Sequence, residues 1–536
     1  FGTSSGHHVT TGYFNTFIGG TAGYSNTTAE LSTAVGYKSL YANTTASAIT
    51  AFGAHSLMTN TTGAANVAVG YSALELNTTG DSNTALGYKA LEANTTANNN
   101  TAVGYQSLLA NTTGGNNVAV GEGSLQSNTT ASDNTAVGRY ALGNNTTGTR
   151  NEAFGNNALY TNTTGGNNVA TGRQALYSNT TGGYNIAIGG NSLYSNTTAN
   201  NNTAVGFSAL GVNTTGANNV AVGALSLDAN TTASDNVGIG INSAGQTTTG
   251  AGNIAIGTNS LLGNTTGGSN VGIGTYALRL NTTASNNTAV GWQAGYSNTT
   301  GGINAFGANA GYNNTTGVNN TALSGGALYQ NTTGGYNTAV GVASLESNTT
   351  ASNNTAVGYQ AGYNTTTATE NTYVGGEAGR NVTTGILNTF IGYKAGRTIT
   401  AAFRNTFVGQ FAGQSTTSSY NTFIGQDAGT YVTSGQKNTI LGKFSGNQHG
   451  LDIRTSDNNI VLSDGDGYPN FVVKGDQAAG TLLRGNGNYS WGKFWKKIIK
   501  NNANQATTLA TVSNYGGNNR VYFRVRVMSV SATGNT

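Results

Sequence analysis

Several residue types that shape ordinary proteins are scarce in this chain of 536 residues. It contains no cysteine and one proline, and charged residues make up only 7% of it. The absence of cysteine excludes disulfides, thiolate metal sites and a cysteine nucleophile. The shortage of charge and proline argues against ordinary disorder, and no apolar run reaches the roughly 18 residues of a membrane span. A net charge of +4 over this length is too dilute to indicate a nucleic-acid partner.

What the chain has in excess is glycine, asparagine and threonine, and these residues form a repeat. One glycine closes an Asn-Thr-Ala-Val-Gly segment about every 17 residues, and two repeats are one residue short. The full unit reads Asn-Thr-Ala-Val-Gly-Tyr-x-Ala-Leu-x-x-Asn-Thr-Thr-Gly-x-x, as in residues 100–116 with Ser107 in place of the second alanine. About 26 copies fill the chain as far as residue 443. Self-similarity at a fixed period is the signature of a repeat architecture.

The repeat predicts an all-β fold, a narrow parallel β-solenoid in which each coil has two short strands and two turns. Side chains of Asn-Thr-Ala-Val-Gly alternate between two faces, and the second and fourth are β-branched or apolar. We therefore expect these two positions to line the interior, in a column that includes Val69, Val103 and Val120. The small third position predicts close approach of another backbone on the outer side. Such chain contacts would lie at Ala68, Ala85, Ala102 and Ala119.

The leading asparagine of each unit predicts a ladder of stacked amides along the solenoid. Its members include Asn66, Asn83, Asn100 and Asn117. The recurrent Asn-Thr-Thr is an N-glycosylation motif, although a turn with stacked amides and hydroxyls is the simpler interpretation. An ice-binding threonine array is disfavoured, because adjacent threonines in a turn point in different directions.

The Asn-Thr-Ala-Val-Gly and Asn-Thr-Phe-Ile-Gly segments (134–138 and 388–392) resemble the β-roll repeats of trimeric autotransporter adhesin heads. The full unit, with its Asn-Thr-Thr-Gly turns, is more similar to repeats in the tail fibres of marine bacteriophages. This resemblance implies a homotrimer of parallel rolls. It also implies a virion-tail or other extracellular location, with a bacterial outer surface as the alternative.

The composition changes after the last repeat, which predicts a boundary at residue 443. The segment 443–536 carries 11 basic and 5 acidic residues. We expect a repeat shaft over 1–443, a neck rich in β-hairpins over 444–490, and the start of a C-terminal β-domain over 491–536. In the neck, Asp464 and Asp466 belong to an Asp-Gly-Asp-Gly segment that predicts a hairpin turn, with a calcium loop as the alternative. Similar segments close the repeat arrays of phage tail fibres.

The last part of the chain holds an aromatic and basic cluster around Trp491 and Trp495. Single-stranded nucleic acid or a membrane surface could bind such a mixture, but buried aromatics at a trimer contact are the favoured interpretation. Alternating residues over 521–527 predict a further strand. From 373 onward the third strand position holds large residues, which predicts a wider solenoid or chains that move apart.

These patterns favour a structural, non-enzymatic function without cofactor or metal. Acidic residues in the array are isolated, whereas a glycosidase needs two carboxylates about 5–10 Å apart. We expect a rigid trimeric shaft that presents a C-terminal tip to a host-surface glycan or protein. A particle adaptor or membrane anchor would precede Phe1, since the chain opens in mid-repeat. The alternatives are a bacterial adhesin whose array binds glycans through tyrosines such as Tyr71 and Tyr88, and a hydrolytic tailspike.

Overall fold

A computed structural model describes residues 1–475 and the short strand Leu482–Leu483. The chain divides into two compact units, Phe1–Glu370 and a second unit that begins at Asn371. The predictions for Trp491, Trp495 and the strand over 521–527 lie outside the described residues. Within those residues, no helix is long and apolar enough to cross a membrane.

The first unit contains one short strand in each coil, formed by the Thr-Ala-Val part of the repeat. Its strands are β1 (Thr16–Ile18), β2 (Thr33–Val35), β3 (Thr50–Phe52), β4 (Val67–Val69), β5 (Thr84–Leu86), β6 (Thr101–Val103), β7 (Val118–Val120), β8 (Thr135–Val137), β9 (Glu152–Phe154), β10 (Val169–Thr171), β11 (Ile186–Ile188), β12 (Thr203–Val205), β13 (Val220–Val222), β14 (Val237–Ile239), β15 (Ile254–Ile256), β16 (Val271–Ile273), β17 (Thr288–Val290), β18 (Ile303–Phe306), β19 (Asn320–Leu323), β20 (Thr338–Val340) and β21 (Thr355–Val357).

The second unit continues the same kind of coil and then changes to antiparallel pairing. Its strands are β22 (Thr372–Val374), β23 (Thr389–Ile391), β24 (Thr406–Val408), β25 (Thr422–Ile424), β26 (Thr439–Leu441), β27 (Asn447–Gln448), β28 (Leu451–Asp452), β29 (Ile460–Ser463), β30 (Pro469–Val473) and β31 (Leu482–Leu483). Strand β29 pairs in parallel with β26, whereas β30 pairs antiparallel with β29 and β31.

Successive coils stack in register, which confirms the parallel β-solenoid and its 17-residue period. In the first unit Ala85 of β5 lies beside Ala68 of β4 and Ala102 of β6. The same offset relates Phe390 of β23 to Phe407 of β24 in the second unit. Because each strand pairs with the equivalent strand of the next coil, hydrogen bonding propagates along the axis rather than within a coil.

The orientation expected for the strand side chains is wrong, because the alanines point inward. Ala68, Ala85, Ala102 and Ala119 are fully buried within a single chain, so they cannot be the chain contacts. A β-carbon built on Gly238, which occupies the same position in β14, would lie 3.1 Å from Leu227 Cγ. The interior of so short a coil accommodates one methyl group beside a leucine, and a β-branched side chain is too large for it.

The valines therefore lie on the outer side of the strand. Val69, Val103 and Val120 occupy equivalent positions in stacked strands, as expected, but they are partly exposed and form no interior column. The expected second strand of each coil is also absent from the described coils. The Tyr-x-Ala-Leu segment is a series of turns, because its second and fourth residues have a positive φ, 54° at Gln106 and 51° at Leu108. An extended strand requires a negative φ.

Large third-position residues in the second unit also point inward. Tyr373, Phe390, Phe407 and Phe423 are fully buried. In each of these coils the leucine of the repeat is replaced by glycine, and a β-carbon on Gly413 would lie 2.4 Å from the Phe407 ring. The ring therefore fills the space that leucine fills elsewhere, and the expected widening or separation of chains is not needed to accommodate it.

Candidate functional site

The leading asparagines form a buried hydrogen-bond ladder that is interrupted at Ile49 and Ile303, which have no side-chain amide. The backbone N–H groups of Asn83, Asn100 and Asn117 each donate to the side-chain oxygen of the asparagine one coil earlier, at 2.8, 3.0 and 3.0 Å. The side-chain amide of Asn66 donates across the turn to the Gly80 carbonyl oxygen at 2.7 Å. Buried amides are stable only when they are fully paired, so this column holds each turn in one geometry.

The asparagines of Asn-Thr-Thr form a second buried ladder, the arrangement that the stacked-turn interpretation of the motif predicts, with threonine in place of asparagine at Thr247 and Thr365. The amides of Asn94 and Asn111 donate to Asn77 and Asn94 Oδ1 at 2.8 and 3.0 Å. The first threonine of the motif also donates to the next coil, as Thr78 does to the Thr95 carbonyl oxygen at 2.9 Å. The asparagine that glycosylation would modify has no exposed surface in the folded chain. This geometry favours the structural interpretation of the motif.

The outer side of the first unit's strands forms one continuous surface, which we call the strand face. It consists of the second and fourth side chains of β1–β21, and the fourth is apolar in every strand except β10, which has Thr171. Several are markedly exposed, with Leu86 at 46%, Ile188 at 41% and Ile239 at 38%. Two side chains per strand and one coil every 4.8 Å give about 700 Å² of surface. The second side chain is threonine in about half of the strands, so about two thirds of this surface, roughly 470 Å², is apolar. That area is comparable to the largest apolar patch of a typical monomer, about 300–600 Å², which is often a functional surface.

Tyrosines form separate columns in which each ring stacks on the next. Tyr71, Tyr88 and Tyr105 follow the anchor glycine of successive coils, with centroids 5.5 and 5.3 Å apart and ring planes within 14°. A second column contains stacks such as Tyr177 on Tyr194, at 5.2 Å. Stacked rings cover one another's faces and expose their edges. A sugar that packs on a ring face would find the faces between stacked rings occupied.

Charged groups in the described residues form small ion pairs at or near the surface rather than a catalytic constellation. Glu122 pairs with Arg139 one coil later at 3.1 Å, and Glu377 with Arg397 at 2.8 Å. Burial raises the pKa of the Asp228 carboxyl, but no second acid accompanies it. Among residues 1–475 no group of three or more His, Asp or Glu side chains could hold a metal ion.

The Asp464 carboxylate organises the hairpin turn between β29 and β30. Its Oδ1 accepts hydrogen bonds from the backbone N–H groups of Asp466 and Tyr468, at 3.1 and 2.9 Å. This is an Asx-type turn, in which the side chain replaces a backbone acceptor. The arrangement is that of the hairpin turn expected from the sequence, and Asp466 is exposed beside it.

Comparison of the chain with protein-family models, with curated proteins and with solved structures finds no significant match in any of the three.

Proposed function

We propose that the chain is the shaft of a homotrimeric attachment fibre that presents a C-terminal region to a host cell surface. The strand face is the observation that carries this proposal. A regular apolar surface on a rigid array is an association site rather than a solvent-facing one. The fibre would belong to a virion tail, as the resemblance to phage tail fibres implies.

The occupant of the strand face is a second copy of the same chain. Its estimated area is close to the roughly 800 Å² that each partner contributes to a standard protein interface. The repeat itself supports self-association, because a parallel copy would present the same 17-residue spacing and could match it coil for coil. Three copies would close the assembly around an axis, with the valine columns rather than the alanines at the contacts.

The stacked tyrosines weigh against the alternative in which the array itself binds glycans. A nearly uniform array would also repeat any site many times, whereas unique surfaces concentrate after the last repeat. We therefore expect the residues that recognise the host surface to follow residue 443, while the array sets the distance between them and the particle.

Sedimentation of the full chain tests the assembly, with an expected mass of three chains. Replacing Val222 and Ile239 by lysine places charge on the strand face and should dissociate the trimer, because desolvating an unpaired charge costs several kcal/mol. Replacing Thr232 and Thr249 by lysine is the matched control, since these exposed threonines lie in the turns of the same two coils. A monomeric wild type, or a trimer unaffected by the Val222 and Ile239 changes, would refute the assembly.

Cell binding tests the attachment function separately. The full chain should bind host cells, and a chain that ends at residue 443 should assemble without binding them. Equal binding by the shortened chain would show that the shaft is the adhesive part.

A further inference from the structure

The last coil of the array differs from all earlier ones by an insertion. The step from Asn438 to Asn459, its successor in the buried ladder, is 21 residues, four more than the period. The additional residues form the small β27–β28 hairpin, in which Asn447 lies opposite Asp452. Beside this hairpin lies a recess of about 430 Å³, lined by Ser415, Tyr431, Thr433, Asn447 and Arg454.

Arg454 lies where the earlier coils have the first threonine of Asn-Thr-Thr. Its carbonyl oxygen accepts the backbone N–H of Thr433 at 2.9 Å, as the Thr433 carbonyl oxygen accepts that of Thr417. The threonine column therefore ends in an arginine, whose guanidinium donates to both carboxylate oxygens of Asp452 at 2.8–3.2 Å. The guanidinium lowers the pKa of the Asp452 carboxyl, so the pair is ionised and has no net charge at neutral pH.

Tyr431 has no aromatic neighbour at the equivalent position of an adjacent coil. The equivalent residue one coil earlier is the small Ser415, and after Tyr431 the chain leaves the regular coil. The Tyr431 side chain is 57% exposed. Unlike the stacked tyrosines of the array, Tyr431 makes no ring–ring contact among the described residues, so a ring face is open to a ligand.

We propose that this recess binds a neutral pyranose of a cell-surface glycan. The open Tyr431 ring suits the apolar C–H face of a sugar, and the Asn447 amide and Ser415 hydroxyl make no hydrogen bond within the described residues. Arg454 lines the recess, and because Asp452 neutralises its charge, its guanidinium N–H groups suit sugar hydroxyl groups rather than a charged ligand. The inference rests on the proposed attachment function and names its receptor class. The recess includes Tyr431 from the last coils as well as Asn447 and Arg454, so a chain that ends at residue 443 would lack part of the site.

Saturation-transfer NMR on the full chain tests the site, with the methyl pyranosides of glucose, galactose, mannose and N-acetylglucosamine as probes. At least one probe should bind, and Tyr431→Ala should weaken that binding at least about tenfold. Tyr431→Phe keeps the ring and should retain binding. Tyr336→Ala is the matched control, because Tyr336 is 60% exposed but lies in the first unit. Failure of all four probes, or unchanged binding by Tyr431→Ala, would overturn the proposal.

Cell binding distinguishes this proposal from the attachment function on which it rests. If Tyr431→Ala binds host cells as the wild type does, attachment stands and the recess is not the receptor site. If the wild type binds a pyranoside through Tyr431 but binds no cells, the recess stands and the attachment function fails.

Discussion

The exchange of an alanine–leucine pair for a phenylalanine–glycine pair can be tested by reversing it in one coil. Phe407 stacks between Phe390 and Phe423 at centroid distances of 5.0 and 4.9 Å, and it occupies the space over Gly413. Phe407→Ala alone leaves a cavity and should cost about 3–5 kcal/mol. Gly413→Leu alone drives a side chain into the ring and should cost at least about 1–3 kcal/mol.

The double variant Phe407→Ala with Gly413→Leu should be more stable than either single variant. It recreates the pair found in earlier coils, such as Ala102 with Leu108. Gly413 has a φ of 57° and Leu108 one of 51°, so leucine already adopts this backbone conformation in the array. We expect a net cost of about 1–2 kcal/mol, because the stacked neighbours lose one ring. Independent changes would instead sum to at least about 4 kcal/mol.

Native-state hydrogen exchange of the β24 amides measures this local stability, which suits an array that need not unfold in one step. Phe403→Ala is the control, because Phe403 lies on the surface nearby and is 37% exposed. A double variant whose loss of protection equals the sum of the two single losses would refute the argument that ring and leucine share one space.

Three further predictions follow from the ladders, the period and the hairpin. Asn100→Asp removes the amide that donates to Asn83 Oδ1 and buries a carboxyl, and burial should raise the pKa of that carboxyl in the folded chain. The variant should therefore be more stable at low pH, where the carboxyl is protonated, and lose stability as pH rises through the raised pKa. Denaturation at pH 4 and at pH 8 measures the difference. Deleting residues 100–116 should shorten the fibre by about 5 Å in electron micrographs without loss of assembly, whereas deleting only 100–107 should disrupt it by breaking the register. Asp464→Ala should lower the stability of the hairpin by about 1 kcal/mol, because the Asp464 carboxylate accepts two backbone hydrogen bonds. A calcium chelator should leave the stability of the wild type unchanged, and a measurable effect would support the calcium loop instead.

The sequence by itself determined the repeat architecture. A period of 17 residues, a β-branched segment and two recurring asparagines leave few arrangements other than stacked parallel coils, because identical side chains one period apart must become neighbours. The stacking of Asn66, Asn83 and Asn100 follows from that periodicity alone. So does the end of the regular array, where composition and spacing change together.

Only the tertiary structure decided which face of each strand is inside. Alternation along β6 places the Ala102 side chain on one face and those of Thr101 and Val103 on the other, but it does not say which face is enclosed. The usual association of large apolar residues with the interior predicted that Val103 would be inside, which is wrong. The deciding quantity is the internal volume of a 17-residue coil, which holds Ala102 beside Leu108 and excludes valine. That volume depends on the turns at Gln106 and Leu108, whose positive φ values no local propensity predicts. The same turns explain why Phe407 requires Gly413, why the valines form the outer surface, and why the contact surface of the proposed fibre could not be located before the coil was seen.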